Sequence, residues 1–219
     1  MTDILYTISV WLIPLVVAIT FHEAAHGWVA DRLGDDTARR LGRITLNPIR
    51  HIDRFGTLIL PGLLLLMQAP FIFGYAKPVP VNFSRLGAPK RDMIWVALAG
   101  PGANLVQAIG WTVLFYVLLA GGVEEEFFLK MCQAGLLVNL VMFAFNLFPL
   151  PPLDGGRILV GLLPWKQAEL VSRVEPWGFF IVMALVISGV VGNLWLRPLM
   201  MLTGSAIEVL LTPIRLLLL

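Results

Sequence analysis

The sequence predicts an all-α polytopic membrane protein, and three observations predict it: a shortage of charge, apolar runs of bilayer length, and polar loops that collect the basic residues. Hydrophobic residues make up 58% of the chain and charged residues 14%, with a mean hydropathy of +0.84. A soluble domain carries roughly a quarter charged residues. This surface is built for lipid.

Five stretches read as transmembrane helices, each near the length of about 20 residues that crosses a bilayer. They are Ile4 to about Ala30, Met93 to Ala120, Met131 to Phe148, Trp177 to Leu196 and Leu199 to Ile214. The first is not a cleaved signal, because no basic segment opens it and it runs straight into a His/Glu cluster. A sixth apolar stretch, Phe55 to Ala76, holds Pro61, Gly62, Pro70 and Gly74, so it either kinks across the bilayer or re-enters. Trp11, Trp95, Trp165, Trp177 and Trp195 fall near span ends, where interfacial aromatics belong. Gly100, Gly102 and Gly110 suit close helix contact.

The basic residues decide how the sixth stretch is read. If it returns to the face it left, that face holds Arg32, Arg39, Arg40, Arg43, Arg50, Arg54, Lys77, Arg85, Lys90, Arg91, Arg157, Lys166, Arg173 and Arg215. The other face holds only Lys130 and Arg197. If it spans, the sixteen Lys and Arg divide evenly. Basic loops favour the cytoplasm, so the re-entrant reading is preferred, with the N-terminus outside. Non-helical backbone at that depth needs protein or a wet cavity around it, which puts the stretch beside an active site. The chain reads as one membrane-embedded domain, 1–219, without internal repeats. The slight net charge of +2, with no aromatics between the basic residues, argues against nucleic acid. A lone Cys132 excludes an internal disulfide.

The chemistry begins at His22-Glu23-Ala24-Ala25-His26. Two histidines four apart on a helix share a face and can reach one metal, with Glu23 on the flank, where it can act as a general base on water. Ionisable groups inside a membrane helix are costly and usually functional. Two of the chain's three histidines fall here. A catalytic zinc takes three protein ligands plus water, so one is still needed. Asp154 is a candidate, after Pro149, Pro151 and Pro152 and before Gly155-Gly156, which together turn the backbone sharply. Read alone, Asp154 serves equally well as the N-cap of a short helix. His51 is a rival ligand, though its loop suits a turn or surface histidine better.

With these residues in view, the chain resembles the site-2 protease family of intramembrane zinc proteases. Three motifs carry the resemblance in order: His22-Glu23-x-x-His26, then Ala99-Gly100-Pro101 with Asn104, then Asn146 to Pro149 followed by Leu153-Asp154-Gly155-Gly156-Arg157. The resemblance implies Zn2+ held by His22, His26 and Asp154, with Glu23 as catalytic base. It implies cleavage in or beside the transmembrane segment of a protein or peptide substrate, at a site near the cytoplasmic face of the cell membrane. It also implies that Asn146 lies near the metal, where its amide either steadies substrate and oxyanion or bonds another helix. Gly42 to Pro48 and Ala76 to Asn82 resemble segments of short family members, expected here as short β-strands that hold substrate extended. The PDZ and cystathionine-synthase-like domains of many relatives are not in this sequence. A membrane protein that binds or transports metal without catalysis is the alternative, and Glu23 argues against it.

Overall fold

The computed structural model describes residues 2–67 and 74–219. Nine α-helices occur among them: α1 Thr2–Arg32, α2 Thr37–Arg40, α3 Leu60–Leu66, α4 Pro89–Ala120, α5 Glu126–Asn146, α6 Asp154–Leu162, α7 Trp165–Ser172, α8 Glu175–Ile187 and α9 Arg197–Leu218. Among the described residues four helices are long and apolar enough to cross a membrane, Leu5–Arg32, Pro89–Ala120, Glu126–Asn146 and Gly192–Leu218, and the bent pair Trp165–Ser172 and Glu175–Ile187 would make a fifth if it formed one span. The fourth helix is α9 continued backwards through a π-helical turn, Gly192–Leu196.

Contacts fix the direction of each helix. Tyr6 packs edge-on against Phe127 (6.0 Å between ring centres), so α1 and α5 begin at one end of the bundle. Ala30, Leu86 and Val96 cluster at the opposite end, where α1 stops and α4 starts. Pro89 suits the first turn of α4, where no backbone N–H is required. Asp92 reaches back to accept the Ala88 amide (2.7 Å) and satisfies a donor that the helix cannot use. Gly121 and Gly122 close α4, the latter at φ +71°.

α9 runs antiparallel to α5. The Trp195 indole donates to the Ala144 carbonyl (2.8 Å) and its ring packs edge-on against Phe148 (5.6 Å), at and just beyond the C-terminal end of α5. Further along, Ile207 and Leu211 share a buried cluster with Tyr116, Ala108 and Leu140. The four long helices therefore alternate in direction, and the chain between α5 and α9 leaves and returns at one end.

That geometry corrects the expected spans Trp177 to Leu196 and Leu199 to Ile214. The break falls at Gly189 (φ +76°), a conformation natural to glycine, and not at Arg197-Pro198. α8 has only 13 residues, about 20 Å of helix at 1.5 Å per residue, and is bent 66° from α7. α8 starts against the Pro151–Pro152 turn, where a Cβ on Gly178 would collide with the Pro151 carbonyl.

The stretch 55–76 holds a π-helical turn, Arg54–Ile59, and α3. Part of it, 68–73, lies outside the described residues. Its two flanks meet: the Tyr75 amide donates to Gly56 O (3.1 Å), Thr57 Oγ1 donates to Tyr75 O (2.9 Å), and the Lys77 amide donates to His51 O (2.9 Å). A stretch spanning a core of about 30 Å would hold these flanks apart. Its start and end are on the same side.

The strands expected at Gly42 to Pro48 and Ala76 to Asn82 do not form; no strand occurs among the described residues. The second segment is extended, but Pro78 and Pro80 have no amide to donate to a ladder. Its Lys77 amide goes to the His51 carbonyl, and its Val79 and Asn82 amides go to side chains. Glu23 Oε2 accepts the Val79 amide (2.7 Å) and Asp35 Oδ2 accepts the Asn82 amide (2.6 Å). Arg43, itself buried, donates to the carbonyls of Lys77 (2.8 Å) and Pro78 (3.3 Å).

Candidate metal centre

α1 carries His22 and His26 about 15 and 9 Å before its end at Arg32, at 1.5 Å per residue. The ring nitrogens facing the bundle are the two Nε2 atoms, 3.1 Å apart. Asp154 Oδ2 stands 3.4 Å from each of them. Asp154 is the first residue of α6, one position past the N-cap Leu153, and its Oδ2 is buried without a hydrogen-bond partner. The capping role is therefore not the one its side chain plays. Gly155 and Gly156 follow because a Cβ on either would strike the backbone of Leu147 to Pro151.

The partners of the outer nitrogens set the protonation of both rings. His26 Nδ1 faces the Val96 carbonyl (2.7 Å), which only accepts, so Nδ1 carries a proton, and in the neutral ring Nε2 keeps a free lone pair. His22 Nδ1 faces Asn104 Oδ1 (2.6 Å) and is protonated for the same reason. Three lone pairs thus converge, and Asp154 Oδ2 is buried with no hydrogen-bond partner. No hydrogen satisfies all three, whereas a cation does. Ligands 2.0–2.1 Å from a tetrahedral zinc stand about 3.3 Å apart, and the observed edges of 3.1, 3.4 and 3.4 Å fit that triangle. Among the described residues this is the one His/Cys/Asp/Glu group that could hold a metal.

The other sequence candidates fall elsewhere. Glu23 is on the flank of the pair, bonded to the Val79 amide. Asn146 ends α5, and its amide donates to Met142 O of its own helix (3.0 Å), so the bond is not to another helix. His51 is outside the cluster and is not a surface histidine; it is buried, with Nε2 donating to Thr45 O (2.9 Å). Gly102 and Gly110 have open space where a Cβ would be, so close helix contact does not explain them. Gly100 does face its neighbour, since a Cβ there would strike both histidine rings.

Comparison with known proteins gives the centre its family. The chain is 39% identical over 186 residues to YwhC of Bacillus subtilis, covering 81% of this chain and 80% of that protein, whose name assigns it to the zinc metalloproteases. The family model for Peptidase family M50 matches residues 120–189. The chain belongs to peptidase family M50. Rip2 of Mycolicibacterium smegmatis, also named for zinc metalloprotease activity, is 30% identical over 184 residues, covering 83% of this chain and 66% of Rip2. Zinc metalloprotease MJ0392 of Methanocaldococcus jannaschii is 25% identical over 166 residues, 75% of this chain and 37% of MJ0392. No solved structure matches the chain. This M50 protein is therefore a zinc metalloprotease of the site-2 protease family, and its apolar helices make it a multi-pass membrane protein.

Proposed function

We propose that this M50 protease hydrolyses peptide bonds in or next to transmembrane segments of membrane proteins, with His22, His26 and Asp154 as its zinc ligands and Glu23 as general base. The convergence of two bare imidazole nitrogens and an unpartnered buried carboxylate oxygen carries this reading. Zinc bound there supplies a Lewis acid for the scissile carbonyl and lowers the pKa of water. Glu23 takes a proton from the attacking water at a carboxylate oxygen and returns it to the departing amine nitrogen. The Val79 amide steadies that carboxylate from the extended segment above it. Asn146, beside the 147–153 turn, is assigned in this proposal as a further polar group for substrate, its amide resting on Met142 O in the free protein.

The site faces the cytoplasm in this proposal, within a single domain of the cell membrane. The reversed course of α9 exchanges Arg197 and Arg215 between the two ends, because Arg197 follows Trp195 beside Ala144. Fourteen of the sixteen basic residues still gather at the end where α1 stops, so the asymmetry is retained. Glu23→Gln should keep zinc and lose cleavage of a membrane-segment peptide. Cleavage at the wild-type rate by that variant would remove Glu23 from the mechanism.

A further inference from the structure

The two asparagines next to the metal centre are unusual for a membrane interior, and the mechanism above does not use them. Asn104 on α4 and Asn139 on α5 are both wholly buried, at 0% exposure. Asn104 Nδ2 donates to Asn139 Oδ1 (2.9 Å) and to Ala18 O of α1 (3.3 Å). Asn139 Nδ2 in turn donates to Gly135 O (2.8 Å).

We infer that Asn104 is a positioning residue for the zinc ligand His22, and that Asn139 acts through Asn104 by fixing which way its amide points. This rests on the assignment of His22 as a ligand. The relay is directional because both of its ends are backbone carbonyls, which accept and never donate. Gly135 O requires the NH2 group of Asn139, so Asn139 presents its oxygen to Asn104. Ala18 O and Asn139 Oδ1 together require the NH2 group of Asn104, so Asn104 presents its oxygen to His22. An oxygen at that position accepts from Nδ1–H, holds the ring in the Nδ1–H tautomer and aims the bare Nε2 at Asp154. Either amide reversed would break the sequence. A histidine free of this bond could rotate or carry its proton on Nε2, where it cannot ligate. Partners of this kind orient metal-bound histidines and raise their basicity, and their removal costs about 10–100-fold in metal affinity.

The test is zinc affinity of the purified full chain in detergent, read by competition with a chromophoric chelator, with melting of the metal-free protein as the check on folding. Asn104→Leu should bind zinc about 10–100-fold more weakly than wild type. Asn104→Asp, whose carboxylate still accepts from Nδ1–H, should stay within a few-fold of wild type. Asn139→Leu should lose less than Asn104→Leu, because Ala18 O still holds the Asn104 amide. The double Leu variant should bind no more weakly than Asn104→Leu alone, since Asn139 acts only through its neighbour. Wild-type affinity in a folded Asn104→Leu overturns the inference. So does an Asn104→Asp affinity as low as that of Asn104→Leu, which would mean that amide packing and not acceptance from Nδ1–H is what counts. Wild-type affinity in Asn139→Leu, or an additive double variant, overturns the relay. A His22→Ala variant that keeps wild-type affinity instead overturns the proposed function, and this inference with it.

Discussion

Gly100 and Asp154 show how differently single residues of the site reveal themselves. His22 and His26 were legible because four positions on one helix are one face, a relation set within the local chain. Asp154 was not legible by itself, since an aspartate before two glycines also suits a helix cap, and only its position opposite both Nε2 atoms separates the roles. Asn104 entered the sequence reading only within a family motif and Asn139 not at all; both are polar residues in apolar runs, but their bonds join α1, α4 and α5 and exist only after packing. Gly100 read as a general packing glycine, whereas its hydrogen faces the two imidazole rings. Gly100→Ala should therefore displace His22 and His26 and reduce zinc binding at least 10-fold, comparable to losing a residue that orients a ligand. Gly102→Ala, with open space around it, should bind zinc as wild type does. Zinc titration of the two variants distinguishes them.

At the scale of elements, helices were read better than their junctions. Arg197-Pro198 looked like a loop between spans, yet proline is tolerated in a first helical turn, and the π-turn before it lets the helix continue. The turn was at Gly189 instead, one glycine among the 20 in the sequence with nothing local to distinguish it. The segment Ala76 to Asn82 was expected as a short strand, but its Val79, Asn82 and Lys77 amides were taken by Glu23, Asp35 and the His51 carbonyl. Asp35 illustrates how that segment is held. Burial opposes its charge, but the Thr37 hydroxyl, the amides of Asn82 and Thr37, and the nearby Arg85 together hold its carboxyl below the usual range. The stabilisation it gives is whole above about pH 4, the ordinary aspartate value, and is lost as pH falls through the lower folded-state value. Asp35→Asn should lower stability by about 1–3 kcal/mol at neutral pH, because an amide cannot accept at both oxygens. Melting of the two proteins at pH 7 and at pH 3 should show the gap narrowing in acid.

For the whole molecule, composition gave the membrane class, while the number of crossings needed tertiary contacts. Apolar stretches look alike whether they cross a bilayer or fold back against a bundle. The Trp195–Ala144 bond and the Ile207–Tyr116 cluster orient α9, and neither pair is adjacent in sequence. With four alternating long helices, both chain termini come to the same side. Five spans would put them on opposite sides. Single cysteines introduced near each terminus of a Cys132→Ala chain should be labelled together by an impermeant thiol reagent in intact cells.

The assembly of the centre from two separate helices, α1 and α6, is what the rest depends on. Zinc content per purified chain measures it directly. One ion per wild-type chain should fall to nearly none in Asp154→Ala and stay at one in Glu169→Ala, whose carboxylate pairs with Arg173 away from the cluster. An Asp154→Ala chain that still holds a full complement of zinc would contradict it.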